Sequence, residues 1–286
     1  MQNDSQLDKI EFFLARMASA LESQAGTGYP SIPDWGHATR WVWQAQSFSL
    51  RPLTHTDSIP LDLLVGIESQ SKTLMENTRQ FAKGYAANNA LLWGARGTGK
   101  SSLVKAIHNV LDDDPTLPIH LIEIYREDLS SLPYLLAVLR EEKTIRFVLY
   151  CDDLSFDQND SSYKTLKALL DGGIEGRPDN VIVYATSNRR HLLPRDMMEN
   201  ERSTAIHKSE AVEEKVSLSD RFGLWLGFYA IDQEAYLKII HGYAKHFKIT
   251  VNDKDALEWA MTRGNRSGRV AWQFIQSVAG QQEKKL

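Results

Sequence analysis

The residues with the clearest capacity for chemistry form a glycine-rich run, GARGTGKSS, at residues 94–102. Its glycines allow a tight backbone turn and leave the backbone N–H groups unobstructed. An apolar run precedes it and a helical pattern follows, which predicts a turn between a strand and the N-terminus of a helix, a position that favours anions. Lys100 adds a cation and Ser101 adds a hydroxyl. This combination is suited to binding phosphate groups.

The spacing of the run satisfies the full pattern Gly-x-x-x-x-Gly-Lys-Ser, which is typical of loops that bind nucleoside triphosphates. In such a loop we expect Lys100 to neutralise the β- and γ-phosphates of ATP, and the hydroxyl of Ser101 to ligate Mg²⁺. The predicted nucleotide contacts in this run are Gly94, Ala95, Arg96, Gly97, Thr98, Gly99, Lys100, Ser101 and Ser102.

Two adjacent carboxylates, Asp152 and Asp153, follow the apolar residues of the segment FVLYCDDLSF, 147–156. Two like charges side by side are costly to bury, so we expect a cation nearby. Mg²⁺ on the phosphates would supply it. Asp152 is predicted to hold that ion, directly or through a water, and Asp153 to orient and polarise the attacking water. Helix capping or a surface salt bridge is the alternative for each carboxylate.

The composition is that of an ordinary globular protein, with 286 residues, 42% hydrophobic and 24% charged. A net charge of −4 disfavours a non-specific nucleic-acid binder that acts through charge alone. The only cysteine, Cys151, cannot form an internal disulfide and is expected to pack in a strand. The N-terminus is polar and acidic, and no apolar run approaches the roughly 18–20 residues that span a bilayer. We therefore expect a cytoplasmic protein without a membrane partner.

The elements that must position these groups alternate between strands and helices, which predicts an α/β fold with a five-stranded parallel sheet flanked by helices. The later segments all have a helical pattern, which predicts a small helical domain at the C-terminus. The predicted domains are an N-terminal helical and aromatic extension (1–60), an α/β nucleotide-binding domain (61–231) and a C-terminal helical lid domain (232–286). The predicted strands are 90–94, 118–124, 146–151, 181–186 and 223–231.

The N-terminal region and one later loop lie outside the segments that carry the predicted chemistry. Residues 5–24 predict an amphipathic helix, which packs on the protein's own body or on a partner. Trp41 and Trp43 alternate as in a strand or docking segment, and burial is favoured over stacking on bases because no basic surround accompanies them. Residues 189–215 are long and weakly patterned, which indicates an insert loop.

Three further groups of polar residues lie near predicted element ends. Thr186, Ser187 and Asn188 lie at the end of the fourth strand, and a polar residue there could touch both the γ-phosphate and the attacking water if that strand lies between the other two. Arg221 stands just before the fifth strand. Arg263, Arg266 and Arg269 stand close together at the start of the last helix.

Taken together, these motifs resemble an AAA+ ATPase over roughly residues 60–280. The segment DLLVGIESQ, 62–70, is similar to the one that helps form the adenine pocket, which implies Val65 and Gly66 as nucleotide contacts. SDRFGL and SGRVA are similar to segments of the DNA branch-migration helicase motor. LKALLDGG, PDNVIVYATSNRRHLLPRD and SLSDRFGLWLGF more closely resemble an uncharacterised bacterial AAA+ family, a domain of unknown function.

The resemblance implies catalytic roles for three of the polar residues. Asn188 matches the sensor-1 residue. Arg221 matches the arginine finger, which acts in trans on the nucleotide of a neighbouring subunit and so implies a homo-oligomeric ring such as a hexamer. Arg269 matches the sensor-2 arginine, with Arg266 as the alternative. Guanidinium groups suit these roles because their donors form a fixed fork toward phosphate oxygens.

One departure from the family pattern concerns the second carboxylate, since the usual pair is aspartate followed by glutamate. Asp153 is one methylene shorter, so its carboxylate falls about 1 Å or more short of the same point, and misplacement on that scale can cost about 10²-fold in rate. The leading interpretation is an oligomeric Mg²⁺-dependent ATPase that remodels or loads a macromolecule. The alternatives are a slow-turnover ATP-dependent scaffold or switch and a small-molecule kinase.

The sequence leaves two further questions open. The macromolecular partner of such an ATPase is either DNA or a protein. Arg221 has the alternative of a surface ion pair with Asp220 or Glu213.

Overall fold

The computed structural model describes residues 32–54, 58–156, 162–172, 176–190, 192 and 218–286. The helix predicted at 5–24 lies outside the described residues, as do all but 189, 190 and 192 of the predicted insert loop.

The described residues form one seven-stranded sheet in the order β2-β1-β4-β5-β6-β3-β7. All neighbouring strands are parallel except the antiparallel pair β1 and β2. The predicted α/β class is confirmed, and the sheet has two strands more than the five expected, because residues 40–52 add a hairpin beside β4. The strands are β1 (Arg40–Gln44), β2 (Ser49–Pro52), β3 (Ala90–Gly94), β4 (Ile119–Glu123), β5 (Arg146–Cys151), β6 (Val181–Ser187) and β7 (Leu224–Phe228).

The two strands at the centre of the site, β5 and β6, are almost wholly apolar and buried. Strands with this composition suit a parallel sheet that is covered on both faces. Because β6 lies between β5 and β3, the carboxyl ends of these three strands meet at one edge. This order satisfies the condition under which a residue after β6 can contact the groups that follow both neighbouring strands.

Helices cover both faces of the sheet, and the last three pack on one another around a core of their own. Polar side chains cap the start of each of these three: Asp232, Asn252 and Ser267 accept backbone N–H groups of the first turn. No helix in the described part of the chain is long and apolar enough to cross a membrane. The helices are α1 (Glu68–Ala82), α2 (Lys100–Asp112), α3 (Leu132–Glu141), α4 (Ser162–Asp171), α5 (Gln233–Phe247), α6 (Asp253–Thr262) and α7 (Gly268–Gln281).

The N-terminal hairpin is anchored by its two tryptophans. Trp41 and Trp43 are 2% and 1% exposed, which confirms burial and removes their faces from any base. The indole N–H of Trp43 donates to the hydroxyl of Ser131 at 2.7 Å, and that of Trp41 donates to Nδ1 of His120 at 3.3 Å. The hairpin is therefore an integral part of the sheet.

Two buried histidines beside this hairpin are held in the neutral form. Nδ1 of His108 accepts a hydrogen bond from Arg40 at 3.2 Å, which leaves Nε2 to donate to the carbonyl of Ile119 at 3.2 Å. Burial lowers the pKa of His108 to about 4, although Asp112 opposes the shift. Burial likewise lowers the pKa of His120 to about 4.

These histidines predict an acid-labile fold. Their folded-state pKa values lie below the usual 6.5. The unfolded state therefore binds more protons, and stability is lost as the pH falls from about 6.5 to about 4. Each histidine contributes a slope of at most about 1.4 kcal/mol per pH unit to the free energy of unfolding. Urea unfolding between pH 7.5 and pH 4.5 measures this slope.

His120→Gln should reduce the pH dependence of the free energy of unfolding by the contribution of about one proton. The glutamine carbonyl can still accept a hydrogen bond from Trp41, but it does not titrate. His246→Gln, at an exposed position on α5, is the matched control and should keep the wild-type slope. A slope that His120→Gln leaves unchanged would contradict the assignment.

Candidate active site

The glycine-rich loop joins the end of β3 to the start of α2, as the sequence predicts. Gly94 has φ 133°, and a Cβ there would lie 1.9 Å from the carbonyl oxygen of Phe228, so only glycine lets the loop lie against β7. Gly97 has φ 71°, and a Cβ there would lie 2.9 Å from the side chain of Ser267. The loop conformation therefore requires glycine at both positions.

Lys100 lies at the centre of this loop, 7% exposed. Its Nζ donates to the carbonyls of Gly94 at 3.0 Å and Ala95 at 2.7 Å, and to Oδ1 of Asn188 at 3.2 Å. Burial lowers the pKa of Lys100, and the charge of Asp153 opposes the shift. The ammonium thus depends on the oxygen atoms around it and is suited to meet an anion in the loop.

Asp152 is held by three hydroxyl groups on a single oxygen. Its Oδ1 accepts from Ser101 at 2.6 Å, from Tyr150 at 2.7 Å and from Thr186. Partial burial raises the pKa of Asp152, but these hydrogen bonds outweigh it and bring the pKa below its usual value. Asp152 is therefore ionised at neutral pH, next to the hydroxyl that the sequence assigns to the same metal ion.

Asp153 has an unusual backbone conformation, with φ 48°. Its N–H donates to Oγ1 of Thr186 at 2.9 Å, and its carboxylate accepts from the amide of Asn188. Aspartate and asparagine tolerate this left-handed region better than longer side chains do. The backbone therefore gives a physical reason for aspartate, in place of glutamate, at this position.

Asn188 connects the two halves of the site. Its amide nitrogen donates to Asp153 and its amide oxygen accepts from Lys100. The sequence predicts this residue at the end of the fourth strand, where it can contact groups that follow both neighbouring strands. Thr186 was one of three polar candidates at the end of the fourth strand, and the hydroxyl of Tyr150 had no predicted role. The two-residue alternation of a strand puts Tyr150 on the same side as Asp152, which was the available signal.

The side chains of Lys100, Asp152, Asp153 and Asn188 line a cavity of about 520 Å³ between the sheet edge and the C-terminal helices. The predicted residues that line it are Arg96, Gly97, Gly99, Lys100, Ser101, Ser102, Asp152, Asp153, Asn188 and Arg269. One wall is apolar and aromatic. This wall was not predicted, because its residues come from three distant segments of the chain. Thr186, one of the three polar candidates, also lines the cavity, and the residues that line it without having been predicted are Ile59, Leu64, Tyr243, Gly268 and Trp272.

Five of the predicted nucleotide contacts do not line this cavity. Gly94 and Ala95 face Lys100 through their carbonyls, and the hydroxyl of Thr98 donates to the carbonyl of Ala95 at 2.8 Å. Val65 packs against the core of the C-terminal helices, and the N–H of Gly66 donates to a side chain at the start of α1. At the predicted adenine segment it is the neighbouring Leu64 that reaches the cavity.

Among the three arginines near α7, the cavity is lined by Arg269 and not by Arg266. The guanidinium of Arg263 instead lies 3.4 Å from the ring centroid of Trp259. The start of α7 contacts the glycine-rich loop directly, since the N–H of Gly268 donates to the carbonyl of Gly97 at 2.7 Å. This arrangement favours Arg269 as the arginine nearest a bound phosphate.

Arg221 does not line the cavity of its own chain. Its Nε forms an ion pair with Asp171 at the end of α4, and not with Asp220 as the surface alternative supposed. Glu213, the other supposed partner, lies outside the described residues. The role of Arg221 in trans stays a prediction.

A glycine-rich loop after an inner strand, paired carboxylates after β5 and a helical unit touching the loop define the AAA+ class of P-loop folds. Solved structures share this fold. An Aeropyrum pernix ORC1 protein in complex with DNA matches with a TM-score of 0.55 and 17% identity, over 77% of this chain and 62% of that chain. An alanine-to-serine mutant of Thermotoga maritima RuvB matches with a TM-score of 0.51 and 19% identity, over 76% and 63%.

The Thermotoga maritima RuvB Holliday junction branch migration motor matches with a TM-score of 0.49 and 19% identity, over 76% of this chain and 63% of that chain. The chain thus spans less than two thirds of the length of each of these three solved chains. The family described as "Protein of unknown function (DUF815)" matches residues 36–282, and the chain belongs to that family. No curated protein matches it. The predicted resemblance to an uncharacterised family is confirmed, and the solved structures share the predicted fold.

The contact between loop and helix predicts a specific defect for Gly97→Ala. The new Cβ costs about 1–2 kcal/mol for its left-handed backbone and also pushes α7 from the loop. Gly264→Ala is the matched control, because Gly264 also has φ 71° but has no atom within 4 Å of an added Cβ. Both variants should lose stability in urea unfolding. Only Gly97→Ala should weaken binding of a fluorescent ATP analogue, and equal affinities would contradict the coupling.

Proposed function

We propose that the chain binds ATP with Mg²⁺ in this cavity and hydrolyses it to ADP and phosphate. One observation carries the proposal: a single cavity is lined by the loop lysine Lys100, by Asp152 beside Ser101, and by Asp153 beside Asn188. These residues come from three separate strand ends. The AAA+ fold supports the proposal.

The residues at the predicted metal position fit Mg²⁺. The hydroxyl of Ser101 and the carboxylate of Asp152 lie within hydrogen-bond distance, and Asp152 is ionised. Mg²⁺ takes oxygen ligands and in nucleotide sites is held by one or two protein groups together with phosphate oxygens. When bound by Ser101 and Asp152, the ion would neutralise charge on the β- and γ-phosphates.

For ATP itself, we propose that the phosphates lie on the loop amides and against Lys100 and Arg269. The base then lies against the apolar wall, to which Tyr243 and Trp272 contribute aromatic side chains. Val65 and Gly66 remain proposed contacts behind this wall. The division of the chain that the sequence predicts is retained in the proposal, with 232–286 as a lid domain over the nucleotide.

In the hydrolytic step, we propose that the carboxylate of Asp153 accepts a hydrogen bond from the attacking water and polarises it. Asn188 fixes that carboxylate through its amide nitrogen and contacts Lys100 through its amide oxygen. The nucleophile and the charge around the γ-phosphate are thereby positioned by one side chain. Positioning of this kind, more than covalent chemistry, is what phosphoryl transfer requires from a protein.

We propose further that the active form is a homo-oligomeric ring, in which Arg221 of one subunit reaches the nucleotide of the next. The proposal assigns the free energy of ATP to remodelling or loading a macromolecule, either DNA or a protein. The similar ORC1 protein is described in complex with DNA, and RuvB is described as a branch migration motor.

A second candidate is a slow-turnover switch. The hydrogen bond between Gly97 and Gly268 is the observation that favours it, because it couples the phosphate loop to the C-terminal helices without any chemical step. ATP would then order α7 and change the affinity for a partner, and hydrolysis would only reset the switch.

Variants at Lys100 and Asp153 test the hydrolytic site. Lys100→Ala should abolish both ATP binding and Mg²⁺-dependent phosphate release. Asp153→Asn should bind ATP as tightly as the wild type, since asparagine suits φ 48°, but hydrolyse it about 10²–10⁴-fold more slowly. Asp153→Glu should lose stability without any gain in rate. Single-turnover phosphate release, with binding measured separately, gives these values.

Two outcomes would contradict the proposed ATP-hydrolysing motor. A wild-type chain that keeps bound ATP intact for many minutes would favour the switch. Phosphate release by Lys100→Ala at the wild-type rate would contradict the site itself.

The role of Arg221 predicts activity that depends on assembly. The specific rate of the wild type should rise with protein concentration, and Arg221→Ala should stay slow at every concentration, since an arginine supplied in trans is worth about 10³–10⁵ in rate. Asp171→Asn is the control, because it removes the ion-pair partner but keeps the guanidinium.

Mixing Arg221→Ala with Lys100→Ala should restore activity, because each variant then supplies what the other lacks at a shared site. A rate that stays flat across assembly, with no restoration on mixing, would contradict the arginine finger.

A further inference from the structure

A second concave site lies at the opposite end of the sheet from the glycine-rich loop. Arg146 begins β5 and Asn180 directly precedes β6, so this site faces the amino ends of the strands. Its volume is about 480 Å³. The residues that line it are Arg140, Glu142, Lys143, Arg146, Arg177, Pro178, Asp179 and Asn180.

The site is basic in a chain whose net charge is −4, with four cations against two carboxylates. Three of these cations donate to uncharged oxygens. Nη1 of Arg146 donates to the backbone carbonyl of Asp179 at 3.0 Å, Arg177 donates to the side-chain oxygen of Asn89, and Lys143 donates to a backbone carbonyl. Within the described ranges, none of these three forms an ion pair with a carboxylate.

The two carboxylates at the site do not neutralise it. Glu142 accepts from the backbone N–H and hydroxyl of Thr144 at 2.7 Å and 2.5 Å. Asp179 lies close enough to Arg177 to favour its charge, but burial still lowers the pKa of Arg177. A partly buried guanidinium without a bound carboxylate is unfavourable, and an anion in the site would offset that cost.

The walls of the site are fixed before any ligand arrives. The amide nitrogen of Asn180 donates to the carbonyls of Leu139 and Glu142 at 2.8 Å and 2.7 Å, which ties the end of α3 to the start of β6. The guanidinium of Arg146 lies 5.9 Å from the ring centroid of Phe81. These contacts hold the guanidinium of Arg146 and the adjoining backbone in place, so little of their conformational freedom is lost on binding.

We propose that this site binds phosphate groups. Guanidinium groups present fixed forks of donors that match phosphate oxygens, and Lys143 adds a mobile point charge. A carboxylate has one charge and two oxygens, whereas a phosphate group offers more oxygens to the several cations that converge here. The phosphate belongs either to the backbone of a nucleic acid or to a small polyphosphate. The site is separate from the ATP cavity and does not depend on its activity.

The test uses the full chain carrying Lys100→Ala, which weakens phosphate binding at the glycine-rich loop. Titration calorimetry with inorganic pyrophosphate is one arm, and fluorescence anisotropy of a labelled single-stranded oligodeoxynucleotide is the other. Lys143→Gln and Arg146→Gln should each lower the affinity for the probe that binds about tenfold or more, because each removes a charge-assisted contact. Arg51→Gln, at an exposed arginine on β2, is the matched control and should change neither arm.

The two arms distinguish the source of the phosphate. Binding of pyrophosphate alone assigns the site to small phosphates. Binding of the oligonucleotide, with a salt slope that Lys143→Gln reduces by about 0.7, assigns it to a nucleic-acid backbone. Failure of the parent chain to bind either probe overturns the proposal. So does binding that Lys143→Gln leaves unchanged, and this variant is at an exposed position where folding is not at risk.

Discussion

The position of β6 between β3 and β5 is the constraint on which the site depends. In a parallel sheet the carboxyl ends of neighbouring strands meet at one edge, so this order brings the glycine-rich loop, a pair of carboxylates and a polar amide together. A different strand order would leave the same residues too far apart to interact. The hydrophobic composition of β5 and β6 buries both strands and thereby fixes the polar groups that follow them.

The charges at this edge depend on one another. Lys100 is buried and relies on loop carbonyls and Asn188, while Asp152 keeps its charge through three hydroxyl donors. Asp153 adds a second carboxylate in a left-handed backbone that suits a short side chain. The short carboxylate therefore reflects the geometry of the turn, and the amide of Asn188 connects it to the lysine.

Much of this could be predicted from the sequence because the signals are local. The loop, the paired aspartates and the strand before Asn188 each combine a short pattern with a change of periodicity. The hairpin at 40–52 was harder to predict, since its strands are short and join the sheet through β4, which lies far along the chain. The aromatic wall was missed because Tyr243 and Trp272 belong to helices whose periodicity indicates a core. Only the packing of α5 and α7 over the loop brings them to the cavity.

The central claim is that Asn188 positions the carboxylate that activates water, and Asn188→Ala tests it most directly. Removing the amide leaves the loop and the metal position intact, so the affinity for ATP, measured by titration in the presence of Mg²⁺, should change by less than about threefold. Single-turnover phosphate release from the same chain should slow by about 10²-fold, as expected for a misplaced reactive group. A variant that releases phosphate at the wild-type rate would contradict the account.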